Sequence, residues 1–458
     1  GSDASDTPSS LRLESLTQRG RVLRLLGDAT TCIELMQPAL DRASHEQALL
    51  TPQVTEFYSQ LGRCRRANGE RLGARQLFER SLTLRRDSHT DRVGEVENLM
   101  DLAGLHADVG ENRIALADFE AARARLRREA GDRHPLLVDI HRNLSRLHRA
   151  LGDLDQAETE LDNAMAVTLE VNGSGHAATL AVMRQLAAIH LDQGRYADAE
   201  NELRDIHRSL VDRFGPNRAE VADSYLSLGI VAWERGALES SLESLRQALR
   251  IRRSAGAPAA IAAALFEQAS VLHASGRDGP AHPLLLEAQE LLVPPDGTDA
   301  GAPSPQRGKV ERLLGEVEVG LGRSADGITR LERAMSMLRT AYGDDHPATR
   351  QAELALAHQR ALPGTNAPLA ATALTQLDAL AGLPDDDIEL RKVAWLARAY
   401  AAQLRCHGPQ RPQALRQLQQ LDTRLRQARP EGGALSRDVA AIRTGCGLPA
   451  VERTLAAD

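Results

Sequence analysis

The sequence predicts an all-α protein, a solenoid of antiparallel helix hairpins, and three observations carry that prediction. Glycines at 27, 69, 110, 152, 194, 236, 276 and 322 are separated by 42, 41, 42, 42, 42, 40 and 46 residues. At fixed offsets from each glycine a small residue, a larger apolar residue and a second small residue recur. Aromatic residues make up 3% of a chain that is 42% hydrophobic, so the apolar content is mostly Ala, Leu and Val, which suit close helix packing. A stack of such units lets 458 residues fold without one large core, because each unit packs on its neighbours.

Within one unit the offsets define two helices. Five residues after each glycine stand Cys32, Ala74, Ala115, Ala157, Ala199, Ser241, Ala281 and Gly327. Four further on come Met36, Phe78, Phe119, Leu161, Leu203, Leu245, Leu285 and Leu331, and three beyond those a mostly small residue, as at Ala39, Ser81 and Ala122. Steps of four and seven mark one face of an α-helix. Seven residues before each glycine the chain is small again, as at Gly20, Gly62, Gly229 and Gly315. The unit therefore reads as helix A, a tight turn at the glycine, then helix B, with axes about 8 to 10 Å apart at the small positions.

A second signal joins the hairpins. Gly131-Asp132-Arg133-His134-Pro135, Gly173-Ser174-Gly175-His176 and Gly343-Asp344-Asp345-His346-Pro347 place a histidine eighteen residues before the turn glycine that follows, and Gly215 keeps that register with Arg218 in the histidine place. The glycine is expected to close helix B in the left-handed conformation, the proline to open helix A where its missing N–H costs nothing, and the histidines to cap.

These residues resemble the tetratricopeptide repeat family. The 42-residue period with Gly-x-x-His-Pro before helix A is similar to its kinesin light chain-like subtype, common in bacterial signalling proteins, and residues 142 to 152 carry the closest match. The resemblance covers residues 11 to 345 and implies a right-handed superhelix, with helix A lining a concave surface that holds a protein or peptide.

The predicted organisation has a flexible lead at residues 1 to 10, regular repeats at 11 to 345, and degenerate repeats with a C-terminal helical cap at 346 to 458, giving about eight regular and two degenerate hairpins. Residues 293 to 307, rich in Pro, Gly and Asp, read as a loop insertion that accounts for the 46-residue interval. Gly364 sits in the turn register of a ninth hairpin, residues 385 to 425 read as a tenth, and 434 to 443 as a last helix. Gly1 and Ser2 look like a protease-cleavage remnant, which suggests a piece of a longer protein.

Several function classes are excluded. A net charge of -7 gives no drive toward nucleic acid or an anionic membrane. No apolar run reaches the roughly 18 to 20 residues of a membrane-spanning helix, so no membrane insertion is expected in this segment. Cys32, Cys64, Cys406 and Cys446 show no metal-type spacing and read as small packing residues. His106, His148 and His190 form a ladder at the repeat spacing, too far apart for one zinc ion, and read as half-buried hydrogen-bonding residues. Gly308-Lys309 lacks the rest of a phosphate loop. No catalytic residue, metal site or cofactor is expected. Lys309 and Lys392 are the only lysines, an arginine bias read as GC-rich bacterial coding.

The candidate ligand-binding residues lie on helix A faces turned from helix B. Arg142, Arg146 and Arg149 fall on one stripe, with Arg63, Arg66 and Arg184, together with Arg21 and Arg24, at equivalent places. Guanidinium groups take carboxylates bidentately, so a partner with an acidic segment fits. A solvated arginine face paired with acids such as Asp139 and Glu56 stands as the alternative. Asn143, flanked by arginines, would clamp a peptide backbone if the family resemblance holds. Farther along, Leu226, Ile230, Trp233 and Phe266 turn the same positions apolar, either as an anchor patch or as packing between helices.

The expected function is therefore a protein- or peptide-binding scaffold, the non-catalytic sensor or regulatory region of a larger bacterial signalling protein such as a Ser/Thr kinase. A stand-alone, self-associating adaptor is the alternative. The chain reads as soluble, with bacterial cytoplasm and periplasm both open.

Overall fold

The computed structural model describes residues 9–40, 44, 51–89, 91–173, 176–293, 304–362, 367–384 and 387–449. Among them are 21 α-helices: α1 (Ser9–Leu25), α2 (Ala29–Met36), α3 (Thr51–Ala67), α4 (Arg71–Ser88), α5 (Arg92–Asp108), α6 (Asn112–Ala130), α7 (Leu136–Ala150), α8 (Leu154–Asn172), α9 (Ala177–Asp192), α10 (Tyr196–Phe214) and α11 (Ala219–Glu234), then α12 (Leu238–Ala255), α13 (Pro258–Ala274), α14 (Asp278–Leu291), α15 (Pro305–Gly320), α16 (Ser324–Tyr342), α17 (Pro347–Ala361), α18 (Ala367–Ala381), α19 (Ile388–Arg405), α20 (Arg411–Ala428) and α21 (Ala434–Gly445). The fold is all-α, built of helices packed in successive pairs. Two compact units make up the chain, residues 1–147 and 148–458.

All eight spaced glycines sit in the turn between helix A and helix B, with φ between +72° and +84°. In every one of these turns the residue after the glycine donates its N–H to a carbonyl five residues back, from Asp28 to Leu23 at 3.0 Å through Arg323 to Glu318 at 2.8 Å. That bond closes helix A by satisfying a carbonyl that would otherwise end the helix unpaired. The small positions of helix A then admit the large residue of helix B. A Cβ at Gly62 would lie 2.6 Å from Phe78 Cε1, one at Gly229 2.7 Å from Leu245 Cγ, and one at Gly20 2.3 Å from Met36 Sδ. Cys32, Ala74, Ala115, Ala157, Ala199, Ser241 and Ala281 are wholly buried on the facing helix.

The links between hairpins differ from expectation in one respect. Gly131, Gly173, Gly215 and Gly343 have φ from 80° to 91°, but ψ lies within about 20° of 180°. This is the extended mirror-image region that glycine alone occupies, where the expected left-handed helical turn would also accept asparagine. The chain must leave helix B straight to reach the next helix A. His134, His176 and His346 then cap it, their Nδ1 atoms accepting from the N–H of Leu136, Ala178 and Ala348 at 3.2, 3.2 and 3.1 Å.

Helix α15 begins at Pro305, capped by the Ser304 side chain, so the last residues of the segment expected as an insertion are helical. Residues 294–303 of that segment lie outside the described residues, as do residues 1–8, Ser174, Gly175 and Gly364 with its neighbours 363–366. Helices α17 and α18 pack as a ninth pair, α19 and α20 as a tenth, and α21 packs on both α19 and α20.

The four cysteines are not simple packing residues. Cys32 in α2 is bonded to Cys64 in α3, and Cys406, at the end of α19, to Cys446, just beyond α21. Four cysteines allow three pairings, and nothing in their spacing signals which helices adjoin.

Candidate functional site

In the first unit two arginines of helix A, Arg63 and Arg66, reach for an acid one repeat on. Arg63 of α3 forms a two-pronged pair with Asp101 of α5, Nε to the two carboxylate oxygens at 3.1 and 3.0 Å, and a longer contact with Glu97 at 3.4 Å. Burial works against the Arg63 charge, but Asp101 outweighs it and holds the guanidinium firmly protonated. One turn along, Arg66 donates to Asp108 Oδ1 at 2.8 Å and to the Gly104 carbonyl at 3.0 Å. The second unit repeats the device. Arg149 pairs with Asp192, and Arg184 lies 3.6 Å from Asp223. These partners stand 38 to 43 residues apart, one repeat in sequence and one helix A in space. The paired-arginine alternative thus describes Arg63, Arg66, Arg149 and Arg184.

Three candidates on α7 behave differently. Arg142 pairs loosely with Asp139 at 3.4 Å. Asn143 donates to the Asp139 carbonyl at 2.8 Å and accepts from Arg146 at 3.1 Å. The Arg146 guanidinium is held below its ordinary pKa by desolvation among its neighbours and then by Arg66, which lies two repeats back in sequence, with Asp108 opposing. Arg24 of α1 is lowered likewise, by burial first and then by Arg63, with Asp101 opposing and Arg21 and Arg66 adding to the shift. Among the described residues no ion pair joins Arg24 or Arg146 to an acid. Like charges are therefore gathered here from α1, α3 and α7, with fewer carboxylates than guanidinium groups. Such crowding favours a bound anion, which restores solvation and charge balance together.

The apolar candidates lie in the second unit and are largely occupied by the protein itself. Leu226, Trp233 and Phe266 pack against the core formed by α12 to α15, while Ile230 is exposed. Over the Trp233 ring sits the guanidinium of Arg437, 4.7 Å from the centroid, and Arg437 also donates to the carbonyls of Trp233 and Glu234 at 2.6 and 2.7 Å. The segment before it is clasped just as closely. Glu431 accepts from the N–H groups of Tyr196 and Ala197 at 2.9 and 3.2 Å, at the N-terminus of α10. Tyr196 donates its hydroxyl to the Gly432 carbonyl at 3.2 Å, and Ala434 donates to Glu234 at 2.8 Å. A carboxylate thus meets the positive end of one helix and a guanidinium the negative end of the next. A Cβ on Gly433 would lie 2.2 Å from the Tyr196 hydroxyl, so the fit requires glycine.

Sequence reasoning missed this clasp because its halves are more than 200 residues apart and belong to no common period; the Gly432-Gly433 pair was the sole local hint. The acids Asp101, Asp108, Asp192 and Asp223 were equally unremarked, although each occupies a helix A and could have been matched to the arginine one repeat earlier.

Two members of the histidine ladder are locally satisfied, whereas His148 Nδ1 is buried 3.8 Å from Asp153 with no hydrogen-bond partner among the described residues. His106 Nδ1 lies 2.8 Å from Asp118, and His190 sits between Glu202 at 3.0 Å and Glu158 at 3.3 Å. Burial opposes the His190 charge, but these two acids raise its pKa. Among the described residues no cluster of His, Cys, Asp and Glu could hold a metal ion.

A profile of the family described as tetratricopeptide repeat matches residues 95–161 and 147–210, and a second profile with that description matches 221–255. Residues 95–210 and 221–255 of this chain thus match tetratricopeptide repeats. No curated protein matches it. Among solved structures, BtubC (BKLC) from P. vanneervenii is 21% identical, with 50% of this chain and 92% of that one covered and a TM-score of 0.41. RapI in its apo form is 11% identical over 84% of this chain and 97% of that one, TM-score 0.48. A Rap protein complexed with competence and sporulation factor is 10% identical over 95% and 99%, TM-score 0.45. With TM-scores under 0.5 these likenesses bear on no functional argument. The repeats themselves are a protein-binding scaffold. No helix among the described residues is long and apolar enough to cross a membrane.

Proposed function

We propose that the chain captures an acidic segment of a partner protein on the helix A face of residues 1–147, with Arg24, Arg142, Asn143 and Arg146 as the receiving groups and Arg63 and Arg66 as their charged surround. The observation that carries this reading is that Arg24 and Arg146 stand beside Arg63, Arg66 and Arg142 and are joined to no acid among the described residues. Arg149 and Arg184 belong instead to the pairs that tie repeat to repeat. Leu226, Trp233 and Phe266 serve the core and the clasp, which leaves Ile230 as an exposed apolar contact.

Fluorescence anisotropy with labelled peptides of Glu and Asp, against neutral peptides of equal length, tests the reading. Acidic peptides should bind with an affinity that falls steeply with salt, and Arg24→Glu with Arg146→Glu should abolish binding. Equal binding of neutral and acidic peptides, or binding that survives both reversals, would refute it.

As its biological setting we propose the sensor or regulatory region of a larger bacterial signalling protein such as a Ser/Thr kinase, supported by the kinesin light chain-like period with its Gly-x-x-His-Pro links. A self-associating scaffold would instead show a mass that rises with concentration in light scattering.

A further inference from the structure

We infer that this chain matures in an oxidising, extracytoplasmic compartment, where a dithiol oxidase closes Cys32–Cys64 and Cys406–Cys446. The sequence contains four cysteines, and all four are paired. Each pair brings its Cα atoms to a separation that a disulfide spans, 6.1 Å for the first and 5.6 Å for the second. Cysteines scattered as packing residues over ten hairpins would have no reason to meet two by two. Thiols held this close in a cytoplasm poised by glutathione and thioredoxin stay reduced, whereas secreted and periplasmic proteins keep such bonds.

Their placement gives the bonds a purpose. In a stack of repeats an inner hairpin is held from both sides and a terminal hairpin from one, so fraying begins at the ends. One bond joins α2 of the first hairpin to α3 of the second. The other joins the end of α19 to the residue following α21, the last described helix. One covalent tie thus joins the first two hairpins, and the other lies by the last described helix, beside the segment that Tyr196, Trp233 and Glu234 clasp.

Burial makes the bonds structural. Cys32, Cys64 and Cys406 have no exposed surface and Cys446 has 2%. A folded chain offers no sulfur to an attacking thiolate, so closure accompanies folding and the finished bonds resist exchange. Each closure follows ordinary exchange. The thiolate of one cysteine attacks the disulfide of the oxidase and forms a mixed disulfide, then the second thiolate displaces the oxidase. One S–S bond forms in the chain, and two electrons and two protons pass to the oxidase, which leaves as a dithiol.

The test traps thiols in intact cells of the native host with acid followed by N-ethylmaleimide, then reads the intact chain by mass spectrometry and its peptides under non-reducing conditions. The expected result is no maleimide adduct, a mass four hydrogens below that of the reduced chain, and cross-linked peptides joining Cys32 to Cys64 and Cys406 to Cys446. Four adducts on the chain from its own cells would overturn the compartment, and crossed pairings would overturn the geometry. A chain carrying Cys32→Ser with Cys64→Ser keeps the second bond as an internal reference. It should carry no adduct either, and two adducts would count against the inference.

Discussion

Arg437 and Trp233 are stacked across more than 200 residues of sequence, the guanidinium carbon 4.7 Å from the ring centroid. The contact combines a cation over an aromatic face with two hydrogen bonds to the last carbonyls of α11. Arg437→Ala should therefore lower stability by about 2 to 3 kcal/mol. It should also speed hydrogen exchange at the Tyr196 and Ala197 amides that Glu431 covers. Arg437→Lys keeps the charge without the planar fork and should fall between. Exchange at those amides that is unchanged in Arg437→Ala would mean that Glu431 holds the segment unaided.

Gly62 and Gly69 are both glycines of the second repeat, and their replacement by alanine should cost energy for different reasons. At Gly62 the new Cβ would meet Phe78 Cε1 at 2.6 Å, an overpacking expected to cost about 1 to 3 kcal/mol. Phe78→Leu in the same chain should recover part of it. At Gly69 no atom lies within 4 Å, but φ is +84°, so the cost of about 1 kcal/mol is conformational. Denaturant titrations of the three variants check this, and a Phe78→Leu double variant no better than Gly62→Ala alone would contradict the packing account.

Asp101 and Asp139 are both paired with arginine, and burial separates them. The Asp101 side chain is 12% exposed and that of Asp139 57%. Asp101→Asn leaves Arg63 only its longer contacts with Glu97 and Glu56 and should cost about 1.5 to 3 kcal/mol, whereas Asp139→Asn should cost less than about 0.5 kcal/mol. Thermal or denaturant melting distinguishes them, and equal effects would remove the ladder from the list of stabilising features.

His358 stacks on Tyr400, ring centroids 3.7 Å apart, and burial pushes its pKa down to about 4 from the usual 6.5. With the folded pKa below the unfolded one, the unfolded chain binds more protons between pH 6.5 and 4, so acid destabilises the fold across that window. The group should contribute up to roughly 3 kcal/mol of pH-dependent stability, present above pH 6.5 and lost as pH falls toward 4. His358→Phe should flatten that part of the profile. A variant with the wild-type slope would place the titration elsewhere.

The fold was legible because its determinants are local and repeated. Turn glycines and the small residue facing Phe78 or Leu245 act within one hairpin, so one period exposes them eight times over, and the histidine caps recur at the same register in three of the links. Arg63 and Arg66 were found as a stripe for the same reason, but whether they were free depended on Asp101 and Asp108 in the next unit, a question of pairing rather than of pattern. Trp233 reads from the sequence either as an anchor or as packing between helices, and the Arg437 that covers its ring could not be found by any periodic argument. The disulfides were hidden likewise, since adjacency between α19 and α21 is a property of the terminal packing and leaves no spacing rule.

The arginine-to-aspartate hand-offs have a consequence for how such a chain can change over generations. Because Arg63 finds its acid 38 residues on and Arg66 finds one 42 residues on, the second unit carries one half of these pairs and the third unit the other. Duplication of the third unit leaves both donors facing an acid, whereas its loss would set them against the register of Asn143 and Ala150. An insertion of part of a unit leaves a guanidinium and a carboxylate stranded on either side of the break, so length in this lineage is expected to vary in full hairpins, with extra residues tolerated in the segments between them.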